Sequence, residues 1–115
     1  MIEGPVLLRL MAWLSPSFPV GGYTYSHGIA YAVEAGLVRD ADSLAGWVEG
    51  IVLYGGGRID ADLFREAWHA VPNDDEAALA EVVEWAEALR GTAETALESR
   101  SQGRAFLQTV RAAWP

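Results

Sequence analysis

Residues 15–36 read SPSFPVGGYTYSHGIAYAVEAG, and this stretch decides the architecture. Pro16 and Pro19 fix φ, remove two backbone donors and push Ser15 and Phe18 toward extended geometry. Gly21 and Gly22 then allow positive φ or a close approach by another surface. Tyr23, Tyr25, Ser26 and His27 follow, before an apolar helical pattern that closes at Gly36, a natural residue just past a helix end. The segment is rigid and apolar at its start and sterically open in its middle, and it leads directly into a helix. It fits a turn and helix N-terminus with some core aromatics. It also fits a shaped contact surface made by Pro16, Pro19, Gly21, Gly22, Tyr25, Ser26, His27 and Gly28.

Working outward, the chain divides into helical segments with legible stops. Pro5 to Leu14 reads as a short apolar helix, with proline at its first turn. Tyr23 or Thr24 to Ala35 is the second. Asp40 or Asp42 caps a third that runs through Trp47 to Tyr54, and the glycine triplet 55–57 ends it. Asp60 to Ala70 makes a fourth, stopped by Pro72. Asn73 or Asp74 begins a fifth, with Asp74, Asp75 and Glu76 placed in a first turn where the helix dipole favours negative charge. In this helix Leu79, Val82, Val83, Ala86 and Leu89 form one apolar stripe, with Glu81, Glu84 and Glu87 off it. Gly91 breaks the fifth helix, and Thr92 starts a sixth that reaches Trp114. No alternating run of strand length occurs. The expectation is an all-α bundle of about six short antiparallel helices, a single helical domain over residues 1–115.

The run LSPSFPVGGYTYSHGIAYAVEAGLV, followed by DADSLAGWVEGIVLYGGGRIDADLF, resembles the N-terminal half of the urease accessory protein UreF family. The resemblance rests on Ser15-Pro16, Pro19-Val20-Gly21, Tyr25-Ser26-His27-Gly28, Glu34-Ala35-Gly36 and Ser43-Leu44 before Trp47. Asp60-Ala61 and the later TALESRSQGRAFL continue it, so the match is collinear from Leu7 to Phe106. Each piece is weak alone, and their order is specific. The resemblance implies a helical, non-enzymatic scaffold in nickel delivery to apo-urease. Its implied partners are a UreD/UreH-type accessory protein on the urease apoprotein and the UreG-type GTPase, with pairing as a homodimer. It implies no cofactor, since nickel is handled by the assembly rather than held tightly by the chain. Tyr25 and His27 would act as polar anchors, and the glycines would let a partner backbone approach. Members of the family are longer, and this chain stops inside what reads as a helix at Trp114-Pro115, so it is read as a fragment or a degenerate product.

Composition agrees with a soluble helical domain and excludes several other classes. The net charge is −8, which opposes a phosphate backbone. All eight basic residues are arginines, so every cationic contact would be planar and bidentate. The chain has no cysteine, which fits the cytoplasm and rules out thiolate chemistry. No apolar run approaches the ~20 residues of a membrane span. Arg9 interrupts the apolar residues 5–14, and no small-residue cleavage site follows, which argues against a signal peptide.

Catalytic patterns are weak. Ser26 and His27 are adjacent, and helical neighbours point about 100° apart, so they cannot form a nucleophile–base pair with each other; a small hydrolase using Ser26, His27 and a carboxylate such as Glu34 or Asp60 is a rival reading. His27 and His69 do not stand at metal-ligand spacing. Gly55-Gly56-Gly57-Arg58 lacks the Gly-Lys-Ser/Thr ending of a phosphate loop. Asp60 and Asp62 read as first-turn carboxylates. Arg90 with Glu94, and Arg100 and Arg104 around Glu98, read as intrahelical pairs on a solvated face. Of the five tryptophans (13, 47, 68, 85 and 114), most fit core packing. Trp85 stands ~60° to one side of the apolar stripe. With Tyr23, Tyr25 and Tyr31 near the glycine pair, it fits an interface. An unrelated helical interaction module is the alternative reading.

Overall fold

The computed structural model describes residues 1–22 and 25–115. These residues form six α-helices and a short 3₁₀ turn, and no strand occurs among them. The helices are α1 (Gly4–Trp13), α2 (Ile29–Glu34), α3 (Ala41–Tyr54), α4 (Gly56–Ala70), α5 (Glu76–Ala88) and α6 (Ala93–Ala113), with the 3₁₀ turn at Val71–Asn73. The all-α expectation holds. The chain packs as two compact units, one made of Met1–Tyr25 with Glu94–Pro115 and the other of Ser26–Ala93.

In the first unit, proline sits in the first turn of α1, where its missing amide costs nothing. The aromatic side chains of α1, the following loop and α6 pack together. Trp13 meets Phe106 edge-on at 6.1 Å between ring centroids and Trp114 at 6.0 Å, and Phe18 lies 5.1 Å from Phe106. These separations and tilts are the ones that aromatic quadrupoles favour. All four rings are half-buried.

In the second unit, α2 starts later than the sequence predicts. The expected start at Tyr23 or Thr24 lies outside the described residues, and Tyr25 to Gly28 are not helical. The reason is local: His27 and Gly28 have φ of 51° and 77°, a left-handed pair that no right-handed helix can contain. The helix ends as expected. Gly36 has φ of 71°, and the amides of Leu37 and Val38 turn back to the Ala32 carbonyl at 2.8 and 3.1 Å.

Asp40 caps α3 with a reciprocal box. Its carboxylate accepts from the Ser43 amide at 2.8 Å and from the Ser43 hydroxyl at 2.6 Å, and Ser43 Oγ accepts from the Asp40 amide at 3.1 Å. The Ser43 hydroxyl, and next the Ser43 amide, hold the Asp40 carboxyl below its ordinary value. A carboxyl lowered in the folded state contributes stability that is present above its unfolded value and is lost as pH falls through the folded one. Urea unfolding from about pH 6 downward should therefore show stability falling below about pH 4. Asp40→Ala should remove this part of the acid dependence and lower stability at neutral pH.

The fourth helix starts four residues earlier than predicted. Gly55 alone separates α3 from α4, and Gly56 already opens α4, so the glycine triplet is a one-residue break and not a loop. Asp60 and Asp62 consequently lie inside α4 rather than capping it. Asp62 accepts from Arg58 Nε at 2.8 Å, one turn back, and Asp60 pairs with Arg90 at 2.7 Å. Arg90, expected in an intrahelical pair, lies just past α5 and is carried to the flank of α4, where it makes this longer-range pair. Pro72 stops α4 as expected, and Asn73 Nδ2 donates to the His69 carbonyl at 2.7 Å. Asp74 then takes φ of 50°, so α5 begins two or three residues late, capped by Asp75, whose carboxylate accepts from the Ala78 amide at 2.9 Å.

Among the described residues the buried apolar side chains are Ala32, Val38 and Ala70. Much larger side chains stay open. On α3, Leu44, Val48 and Val52 recur every four residues along an exposed face, and on α5 Leu79, Val83 and Leu89 of the predicted stripe are exposed while Val82 and Ala86 are half-buried. Of the tryptophans, Trp13, Trp47 and Trp114 pack as predicted, whereas Trp68 and Trp85 remain more than half exposed.

Candidate functional site

The eight predicted contact residues are divided between the two units. Pro16, Pro19, Gly21, Gly22 and Tyr25 belong to the first, and Ser26, His27 and Gly28 to the second.

In the first unit, both prolines are exposed, and the loop that carries them is held by its own backbone. Ser15 Oγ accepts from the Ser17 amide at 3.1 Å, and the Ser15 carbonyl accepts from the Phe18 amide at 3.0 Å. Phe18 then anchors the loop by packing on Phe106. Phe18 thus makes the apolar start of the segment a half-buried strut, and the prolines are the solvent-facing part. Gly21 has φ of 74°, and a Cβ there would touch nothing within 4 Å, so glycine serves backbone conformation in open space. At Gly22 a Cβ would meet the Gln102 side chain at 3.5 Å, an ordinary contact. Tyr25 is 40 % exposed, and its amide donates to the Gly22 carbonyl at 3.2 Å.

In the second unit, Ser26 and Gly28 have structural duties. Ser26 Oγ accepts from the Ala30 amide at 3.4 Å, covering an amide that the first turn of α2 leaves open. The His27 carbonyl accepts from Trp47 Nε1 at 3.3 Å. A Cβ on Gly28 would stand 3.3 Å from Trp47 Cζ2, so glycine answers there both to positive φ and to the indole. Trp47 of α3 therefore clamps the turn before α2. From sequence Trp47 reads as part of the Ser-Leu-x-x-Trp motif and as a packing residue of the third helix, and neither reading reveals this long-range bond. The exposed His27 imidazole projects from a backbone that the rest of the unit fixes. Ser26 is committed to a helix amide, so the geometry favours a displayed surface over a nucleophile–base pair. Among the described residues no three His, Cys, Asp or Glu side chains gather as a metal site would require. None of their helices is long and apolar enough to cross a membrane.

Comparison with known proteins extends the pattern. The family model described as UreF matches residues 38–115. The urease accessory protein UreF of Magnetococcus marinus is 57% identical over 109 residues, covering 95% of this chain and 47% of that protein. The protein of the same name from Mesorhizobium japonicum is 55% identical over 109 residues, with 95% and 48% covered, and that of Xanthobacter autotrophicus is 52% identical over 114 residues, with 98% and 47% covered. The chain spans about half the length of these relatives. No solved structure matches it.

Proposed function

This chain belongs to the UreF family of urease accessory proteins, and we propose that it acts as a non-enzymatic adaptor in assembly of the urease nickel centre. The observation that carries this reading is the collinear match of nearly the whole chain to proteins of that name at about 50% identity. In the proposed role the chain bridges a UreD/UreH-type protein on apo-urease and a UreG-type GTPase, pairs as a homodimer and works in the cytoplasm. Nickel is the cargo of the assembly and not a resident of this chain. Exposed Pro16, Pro19 and Tyr25 within the first unit, and exposed His27 within the second, each suit a contact-based role, because a side chain on a fixed backbone loses little freedom on binding.

Co-purification with a UreD-type protein tests the reading, using this chain alone and this chain joined to the C-terminal half of a relative. Capture of either supports the adaptor role, and capture of neither overturns it. His27→Asn sharpens the result for the predicted surface. Asparagine tolerates the left-handed backbone and keeps the carbonyl bonded to Trp47, so only the imidazole is lost. Captured partner is expected to fall about tenfold, the loss of one good interface contact, with helical circular dichroism unchanged. Undiminished capture would assign His27 to the turn alone.

A further inference from the structure

We propose that the groove between α4 and α5 docks an amphipathic segment of a partner protein that presents an arginine or lysine among aliphatic side chains. The groove lies wholly within the second unit. Its floor is Ile59 and Leu63 of α4 with Val82 and Leu89 on the α5 side, and Trp85 forms one wall. The cavity is about 190 Å³. Small-molecule sites run from about 300 to 1,000 Å³, so this one suits a single inserted side chain. Trp85 is 54 % exposed, and its indole N–H donates to Glu81 at 3.4 Å, which holds an apolar ring open to solvent.

Charge identifies the occupant. Asp62 and Glu66 border the groove on α4, and Glu81 and Glu84 flank Trp85 on α5. Asp62 is engaged by Arg58, whereas Glu66 and Glu84 have no ion pair among the described residues. The second unit as a whole has thirteen Asp and Glu against four arginines, and two of those arginines are already bound to Asp60 and Asp62. The first unit is nearly balanced, with three carboxylates against four arginines. The chain's negative field is therefore concentrated on the unit that carries the groove. Such a field attracts a cationic partner and repels nucleic acid. A cation over a tryptophan face, close to carboxylates and beside an aliphatic pocket, combines the contacts that dominate interface energies. A second copy of the chain would bring the same acidic face against itself, which disfavours self-pairing here.

The inference rests on the adaptor reading only for the existence of a protein partner. Its test titrates the full chain with a synthetic amphipathic helical peptide of leucine, alanine and arginine, following the tryptophan indole N–H signals by NMR, with Trp85 assigned from Trp85→Phe. A saturable shift of the Trp85 signal is expected. Binding should weaken about tenfold in Trp85→Ala and in the double variant Glu66→Gln/Glu84→Gln, a loss typical of an interface hot spot, and it should weaken as salt rises. The double variant alters only exposed groups, so it keeps the test valid if Trp85→Ala disturbs folding. The proposal is overturned if Trp85 does not shift or if the double variant binds equally well. It is also overturned if a peptide with glutamate in place of arginine binds as tightly, or if Trp85 shifts with protein concentration and no peptide. A chain that co-purifies with a UreD-type protein but ignores the peptide keeps the adaptor role and loses this groove. The converse result keeps the groove and loses that role.

Discussion

Valine at Gly57 is expected to force α3 and α4 apart, at a cost of about 3 kcal/mol or more. A Cβ at this position would stand 3.0 Å from both the Ile51 carbonyl oxygen and the Val52 Cα, closer than carbon packs without strain. Both neighbours are backbone, which cannot rotate away as a side chain can. Gly57→Ala separates sterics from propensity. In an open helix position alanine gains up to about 1 kcal/mol over glycine. Here crowding should exceed that gain and leave a net loss of about 1–2 kcal/mol. Gly46→Ala in α3 is the control: a Cβ there meets nothing within 4 Å, so it should stabilise by about 0.5–1 kcal/mol. Urea unfolding of the three variants checks both signs. If Gly57→Ala stabilised the chain as Gly46→Ala does, the close crossing would not exist.

Trp13→Ala should cost about 2–4 kcal/mol, somewhat below the range for a fully buried tryptophan because this one is half-buried. The ring bridges Phe106 and Trp114 of the first unit, so its loss removes two edge-to-face contacts as well as buried area. Near-ultraviolet circular dichroism should collapse with it, since the cluster supplies a rigid aromatic environment, and the urea midpoint should fall. Trp13→Phe is expected to be far milder. The Trp13 Nε1 atom is buried without a hydrogen-bond partner among the described residues, so replacing the indole removes an unsatisfied donor along with some area. Equal damage from both substitutions would show that indole size, rather than an aromatic contact, holds the unit together.

Local signals were read most accurately at helix ends. Asp40, one of the two expected caps of α3, takes that role through Ser43 three residues on, and Gly36 after an apolar helix ends it through backbone freedom alone. Pro5 and Pro72 act through a missing amide and a fixed φ, and both fall where expected. The misread starts have two causes. His27 and Asp74 take left-handed conformations that delay α2 and α5, and composition does not announce them, because histidine and aspartate normally tolerate helical geometry, whereas Gly56 and Gly57 are helical and bring α4 forward. Of the candidate surface, the sequence offered residue types and not surroundings: the prolines, Tyr25 and His27 are exposed, and Ser26 and Gly28, exposed as well, are also tied to Ala30 and Trp47.

By itself the sequence determined the all-α class, most helix ends, the strong excess of negative charge and the family. These follow from backbone propensities, caps, composition and motif order, each of which acts over a few residues or none. Only the tertiary structure decided which arginine meets which carboxylate, that Trp47 clamps the His27 turn, that the glycine triplet is a close helix crossing, and that Trp85 stands open beside an acidic groove. Those outcomes depend on distances between residues from five or six positions apart, as at Gly57 with Val52 and Ile51, to twenty or thirty, as at Trp47 with His27 and Arg90 with Asp60. Packing sets such distances, and no local pattern in the chain encodes them.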